Sequence, residues 1–237
     1  MNELLTIMLI AWVSGAMAFV GGQIAYWLPL GQGQHTSQWL HGLVGFGGGI
    51  LLAAVVFALL PEGMDKLTPG LLALGFVAGG ALFCLMDAFL QRKGGSVAQF
   101  LAMLMDFLPE AISLGAVFAD NRKLGLLLAG FIGIQNLPEG FNSFRELKAA
   151  GQNARLELVT LFAVAFLGPL AAAAGYFLLQ DHPGVTAFIM TFAGGGILYL
   201  LFEDIAPATT MRNYWLPPMG AVLGFLVGML GHLFIKG

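Results

Sequence analysis

Long apolar segments alternate with short polar turns along the whole chain. Each segment has about 20 residues, the length that an α-helix needs to cross the hydrocarbon core of a bilayer. Glycine, proline and charged residues mark the turns between the segments. The pattern predicts a single transmembrane domain over residues 1–237 with eight spans, at residues 4–28, 42–60, 71–91, 98–119, 124–145, 156–179, 185–206 and 215–236.

The first segment has an alternative interpretation. Ala16-Met17-Ala18 resembles the cleavage site of a signal peptide, but the segment begins with Glu3 and stays apolar as far as Leu28. A signal peptide starts with lysine or arginine and has a shorter apolar run, so we interpret the segment as a membrane helix. Six of the ten lysines and arginines follow odd-numbered spans, which predicts that this face is cytoplasmic and both termini are extracytoplasmic.

Composition agrees with an all-α polytopic protein of the cell membrane. Hydrophobic residues make up 58% of the 237 residues and charged residues only 10%, against about 25% charged residues in soluble domains. The net charge of −3 comes without a basic cluster, so nucleic acid is not an expected partner. The single cysteine, Cys84, excludes an intramolecular disulfide, and its apolar surroundings predict a small core residue.

A glycine-rich motif in the second span resembles one in the seventh. Phe46-Gly47-Gly48-Gly49-Ile50-Leu51 and Phe192-Ala193-Gly194-Gly195-Gly196-Ile197-Leu198 are each followed by a proline, Pro61 and Pro207. Two spans of opposite direction with a common motif predict an inverted repeat of the first three and last three helices around a central pair, a 3+2+3 arrangement. The alternative is chance recurrence in a chain with 34 glycines.

The central pair of spans carries the chemistry. Leu-Pro-Glu occurs at 108–110 and again at 137–139, and each proline is expected to break its helix. Asp106 lies four residues before Glu110, and Gln135 lies four residues before Glu139. Residues at this spacing share a helix face, so each motif forms an edge with two ligands. Asn136 can join the second edge.

These carboxylates are costly in a membrane. A charge at the centre of a spanning helix costs about 2.5–3.5 kcal/mol on insertion scales. Between residues 98 and 144 the only basic residues are Arg122 and Lys123, in a turn. The acids therefore hold a proton or pair with a mobile cation. A set of ligands consisting only of oxygen atoms suits divalent cations of the harder kind.

Other polar residues near the spans have two interpretations each. Glu203 and Asp204 come shortly before Pro207 and either line a gate or exit path or end the seventh span. His35 and His41 flank a predicted loop, where they either bind metal at the mouth of a path or are ordinary polar loop residues. Pro61 and Glu62 are expected at a helix end.

These motifs resemble the ZIP (Zrt/Irt-like protein) family of divalent metal transporters, with this chain a divergent bacterial-type member. The resemblance implies eight spans in a 3+2+3 arrangement and a metal site on spans four and five. Glu110 matches the glutamate of span four, and Gln135, Asn136 and Glu139 match the polar residues of span five. Glu203-Asp204-x-x-Pro207 is similar to the Glu-Glu-x-x-Pro of the family.

The departures from the family pattern predict a simpler site. Asp106 stands where the family has histidine, Phe107 where it has asparagine, and Gly168 where it has glutamate. The ligands lost at Phe107 and Gly168 would complete a second metal. We therefore expect one metal ion, held by Asp106, Glu110, Gln135 and Glu139 with Asn136 secondary. The loss of histidine leaves zinc, iron, manganese and cadmium open, because zinc favours imidazole.

The sequence thus predicts transport of a divalent transition metal across the cell inner membrane, toward the cytoplasm, with no prosthetic group. The lipid bilayer is the second expected partner, and a homodimer is left open. The alternatives are a relative with altered substrate or proton coupling, and a metal sensor without flux. An enzyme is not expected, because the chain has no His-Glu-x-x-His motif and no histidine near Ser113 or Ser143.

Overall fold

The computed structural model describes residues 3–28, 34–93, 95–149, 151–209 and 214–236, where all regular structure is helical. Two π-helical segments, Val55–Leu59 and Leu201–Ile205, continue α2 into α3 and α9 into α10. The α-helices are α1 (Glu3–Trp27), α2 (Gln34–Ala54), α3 (Leu60–Lys66), α4 (Pro69–Lys93), α5 (Gly95–Asp120), α6 (Arg122–Ala149), α7 (Ala154–Ala165), α8 (Leu167–Leu179), α9 (Pro183–Leu200), α10 (Ala206–Ala208) and α11 (Leu216–Lys236).

Within the described part, seven helical segments are long and apolar enough to cross a membrane, in agreement with a multi-pass membrane protein. They are Glu3–Trp27, Gln38–Lys66, Pro69–Leu90, Arg122–Ala149, Ala154–Leu179, Pro183–Ile205 and Leu216–Ile235. The remaining predicted span, residues 98–119, lies inside α5, a helix of 26 residues. That this helix also crosses the membrane, making eight spans, stays a prediction.

The prolines have other effects than those we predicted. Pro109 and Pro138 lie inside α5 and α6, and both helices continue through them. The expectation that proline breaks these helices is therefore wrong: each helix continues although its proline lacks the N–H group of one regular hydrogen bond. The sixth predicted span is instead divided at Phe166, shortly before Pro169. The helix containing Pro61 also continues to Lys66, beyond the predicted end.

The two π-helical segments occupy equivalent places. Each lies in a helix that carries a triple glycine, and each ends two residues before a proline, Pro61 or Pro207. Side chains around each segment pack on the glycines of the other helix. A Cβ at Gly48 would lie 2.7 Å from Ile205 Cγ2, and one at Gly194 would lie 3.3 Å from Leu60 Cδ2. Such π segments are frequent at functional sites.

Four helix pairs pack with their backbones in contact, and each pair has glycines on both helices. The pairs are α1 with α6, α2 with α11, α4 with α9 and α5 with α8. In the first pair, a Cβ at Gly140 would overlap the backbone of Ala18, and one at Gly21 would overlap the carbonyl of Leu137. Residues without a side chain allow this close approach, which fixes the height of α6 against α1.

The largest buried cluster joins these pairs at the centre of the molecule. Its members include Leu114 of α5, Leu128 and Ile132 of α6, Ile50 of α2 and Met190 of α9. Helices α5 and α6 therefore lie inside the bundle rather than at its edge. Cys84, by contrast, is exposed, so the expectation that it is a core residue is wrong.

The glycine contacts can be tested within one helix. We expect Gly140→Ala to destabilise the protein by about 1–3 kcal/mol, since the added methyl group has no room against Ala18. Gly130→Ala is the matched control, because no atom lies within 4 Å of its added Cβ, and it is expected to gain up to about 1 kcal/mol from helix propensity. Thermal unfolding in detergent measures both. Equal effects of the two substitutions would contradict close α1–α6 packing.

Candidate functional site

A carboxylate and an amide meet in the interior between α5 and α6. Glu110 and Gln135 both have 0% of their surface exposed. Gln135 Nε2 donates a hydrogen bond of 2.6 Å to Glu110 Oε2. The other amide atom, Gln135 Oε1, is buried and has no hydrogen-bond partner among the described residues. An amide oxygen of this kind is available as a ligand for a cation.

The two Leu-Pro-Glu motifs bring these groups together through simple helix geometry. Glu110 and Gln135 lie on adjacent antiparallel helices that contact each other near their middles. Glu139 is one turn from Gln135, a rise of about 6 Å along the helix axis, and is partly buried. Next to Glu110, the Ser113 hydroxyl donates a hydrogen bond of 2.8 Å to the carbonyl of Pro109, one turn earlier in the same helix.

Asn136 is used differently from its neighbour. Its Nδ2 donates a hydrogen bond of 3.0 Å to the carbonyl of Ser14 in α1. The Ser14 hydroxyl donates in turn to the carbonyl of Ala129, at 2.9 Å. These two buried bonds join α1 to α6 on either side of Ser14. The structure thus gives Asn136 a role in holding α6 in place, which its sequence position beside Gln135 did not reveal.

Three predicted site residues lie at the start of α2 or on α5. The side chains of Asp106 and His35 are outside the described residues, although their backbones lie in α5 and α2. His41 is partly buried in α2. Because α2 begins at Gln34, the prediction of a loop around the two histidines is wrong, and His41 is a helix residue.

The predicted gate residues lie in the second π-helical segment. Glu203 is partly buried and Asp204 is exposed. Glu203 lines an open cavity of about 500 Å³ together with Tyr199 and Phe202. The Tyr199 hydroxyl donates a hydrogen bond of 3.1 Å to Asp87 Oδ2, which links α9 to α4 at this level.

No group of three His, Cys, Asp or Glu side chains within the described residues is arranged to hold one metal ion. The buried pair therefore offers one carboxylate and one amide as the start of a site, with Glu139 a turn away. Sequence reasoning missed one more buried carboxylate, Glu157 of α7, which is 8% exposed and hydrogen-bonded to the hydroxyl of Ser143. Its signal was weak because it follows Arg155 at the polar start of a span.

The chain is similar to two known transporters, although no protein-family model matches it. The zinc transporter ZIP13 of Pongo abelii is 28% identical over 192 residues, which cover 70% of this chain and 57% of that protein. The zinc transporter GufA of Myxococcus xanthus is 32% identical over 108 residues, which cover 45% of this chain and 42% of that protein. The names of both relatives support a relationship to the ZIP family.

The resemblance inferred from the motifs is thereby confirmed at the level of the family. The chain spans about half the length of the two relatives it matches. Both relatives are named as transporters and neither is named as an enzyme, which agrees with the expectation that this chain is not an enzyme. The site residues themselves remain a prediction from sequence and geometry.

Two departures from the ZIP pattern pack on each other. Phe107 is 3% exposed, and the tip of its ring lies between α1 and α8. A Cβ added at Gly15 would lie 2.7 Å from Phe107 Cζ, and one added at Gly168 would lie 2.8 Å from the same atom. The ring thus fills the space that a longer side chain at position 168 would need, and the surroundings are apolar.

The role of Asn136 gives a prediction that separates packing from metal binding. We expect Asn136→Ala to lower the free energy of unfolding by about 1–3 kcal/mol, because the Ser14 carbonyl loses its buried donor. Binding of Cd²⁺ by the folded fraction is expected to persist with unchanged stoichiometry. Thermal unfolding and equilibrium dialysis in detergent measure the two effects, with the exposed Gln152→Ala as control. Unchanged stability with lost Cd²⁺ binding would make Asn136 a ligand instead.

Proposed function

We propose that the protein transports a divalent transition metal cation, of the zinc, iron or manganese class, through a carboxylate-lined site between α5 and α6. The observation that carries this proposal is the buried Glu110 carboxylate with the unpartnered Gln135 Oε1 beside it. An ionised carboxylate at this depth favours a cation. The names of the two relatives, both zinc transporters, support the same substrate class.

The Gln135 amide has a defined part in this mechanism. In the structure, its N–H group donates a hydrogen bond to the Glu110 carboxylate. A cation that binds Glu110 replaces this N–H group as the partner of the carboxylate. Rotation of the amide then presents Oε1 to the metal. Glu139 and Asp106 complete the set of oxygen ligands and replace part of the hydration shell. The site takes one metal, because the Phe107 ring fills the space beside Gly168, where the ZIP pattern has a ligand for a second metal.

The arrangement of helices supports the proposed 3+2+3 repeat with eight spans. If the first three spans exchange with the last three, and span four exchanges with span five, the α2–α11 pair maps onto α9–α4. The α1–α6 pair maps onto α8–α5 in the same way. All four pairs pack through glycine on both sides. Alternating access then results from movement of one bundle against the other around the fixed site, with the π-helical segments near their prolines as bending points.

The same proposal covers location and direction. The chain is placed in the cell inner membrane with both termini extracytoplasmic, and the metal moves toward the cytoplasm. Lipid covers the exposed apolar faces, on which Leu85 and Phe234 are 68% and 84% exposed. A homodimer is the alternative cover for part of this surface. Changed substrate or proton coupling, and metal sensing without flux, are the rival functions.

Metal uptake tests the function directly. Purified protein is reconstituted into liposomes containing a fluorescent chelator, and uptake of Zn²⁺, Fe²⁺, Mn²⁺ and Cd²⁺ is recorded. We expect flux of at least one of these ions, and a loss of about tenfold or more in the Glu110→Gln, Glu139→Gln double variant. Both substitutions keep side-chain size and remove charge.

One control variant and three further outcomes define the result. Glu62→Gln removes a carboxylate that forms an ion pair of 2.7 Å with Lys66, and it is expected to leave uptake unchanged. Cd²⁺ binding without flux of any ion would point to a sensor. Proton counter-flow without metal dependence would favour a changed coupling. Unchanged uptake in the double variant would remove the site from the transport path.

A further inference from the structure

A second buried carboxylate lies beyond the central site, toward the turn that joins α6 to α7. Glu157 is in the first turn of α7 and 8% exposed, and the Ser143 hydroxyl of α6 hydrogen-bonds to it. Neither residue belongs to the site predicted from the sequence. The bond therefore connects α6 to α7. The packing of these two helices does not by itself explain why a carboxylate is buried between them.

The position of Ser143 relates this pair to the central site. Ser143 follows Glu139 by four residues, and Glu139 follows Gln135 by four residues, so the three side chains form one ladder along α6. Each step is a rise of about 6 Å. The ladder starts at the fully buried Glu110–Gln135 pair and ends at Glu157, close to the end of α6 at Ala149.

The nearby cations do not neutralise Glu157. Within the described residues, no lysine or arginine forms an ion pair with this carboxylate. Arg145 lies 6.0 Å from the centre of the Phe141 ring, and Lys148 lies 5.9 Å from the centre of the Phe144 ring. The Glu157 side chain is thus largely shielded from solvent, and its described partner is the neutral Ser143 hydroxyl. This situation favours a proton or a mobile cation.

Helix capping does not account for the burial. The helix dipole stabilises an acidic residue near a helix N-terminus, but this interaction does not require the residue to be buried. The first turn of α7 already has a cap, because the Asn153 side chain accepts a hydrogen bond of 3.0 Å from the Arg155 N–H group. If Glu157 only stabilised the start of α7, it would not need a hydrogen bond from a hydroxyl on another helix.

We propose that Glu157 and Ser143 form a second cation site, an exit station for the divalent metal. The ion leaves the Glu110–Gln135 pair, passes Glu139, and is held by the Glu157 carboxylate and the Ser143 hydroxyl with water before release at the α6–α7 turn. The ligand class is a partly hydrated divalent cation bound through oxygen. This inference rests on the proposed transport function and adds the route on one side of the central site.

The first test compares flux with binding. We expect Glu157→Gln to slow Cd²⁺ uptake into proteoliposomes by about tenfold, while Cd²⁺ binding at the central site is retained. Glu157→Asp keeps the charge and is expected to restore most of the uptake. Ser143→Ala is expected to have a smaller effect in the same direction. Glu62→Gln is the matched control. Wild-type uptake in Glu157→Gln, or equal loss in Glu157→Asp, would overturn the proposal.

The second test needs no transport and uses the single cysteine. In a Cys84→Ser background, Glu157→Cys places the only thiol at the proposed station. A small cationic methanethiosulfonate reagent is expected to label this thiol in folded, reconstituted protein. Mn²⁺, which prefers oxygen ligands to thiolate, is expected to slow the labelling. Leu161→Cys, at a residue that is 0% exposed, is the buried control. No labelling at position 157, or labelling that Mn²⁺ does not affect, would overturn the station.

The two failures can be told apart. If Glu110→Gln stops uptake while Glu157→Gln does not, the transport function stands and the exit station is wrong. If Glu110→Gln leaves uptake unchanged, the central site is wrong, and the labelling result alone decides whether a cation reaches position 157.

Discussion

A carboxylate that has lost all contact with water needs either a charge partner or a proton, and Glu110 is in this situation at the crossing of α5 and α6. The amide of Gln135 relieves it with a buried hydrogen bond. The surrounding structure holds this carboxylate–amide pair in place, and the proposed metal site is built on it.

Close backbone packing supplies the rigidity that such a site requires. Glycines on both sides of the α1–α6 and α5–α8 contacts bring helix backbones together without side chains between them. The Ser14 hydroxyl and the Asn136 amide add two buried hydrogen bonds across the first of these contacts. Together they fix the heights of α5 and α6, on which the meeting of Glu110 with Gln135 depends.

The sequence alone allowed two kinds of prediction: membrane helices from the length of the apolar segments, and a candidate site from the cost of burying charge. The apolar segments identified the membrane helices, and the Leu-Pro-Glu motifs indicated the region in which Glu110 meets Gln135. Helix geometry grouped Gln135 with Glu139, but it could not show that Asn136 contacts Ser14, because these residues are far apart in the chain. The π-helical segments, the continuity of α5 through its proline and the burial of Glu157 were also not predictable. Each depends on tertiary contacts that no local pattern encodes.

Phe107 illustrates how a departure from a family pattern acquires physical meaning. The sequence showed only that two ligand positions had become phenylalanine and glycine. In the structure the ring tip lies against Gly168 and Gly15, so the large residue and the small ones replace each other's volume. An apolar ring therefore fills space at a position where the ZIP pattern has a ligand, which is the basis for proposing a single metal.

Anomalous X-ray scattering from crystals soaked in Cd²⁺ is the most direct test of the proposed metal site. We expect one strong peak within coordination distance of the Glu110 carboxylate and Gln135 Oε1, with the amide rotated, and no peak beside Phe107. A crystal that binds Cd²⁺ only at other carboxylates, such as Glu203 and Asp204, and leaves Gln135 Nε2 on Glu110 would contradict the proposal.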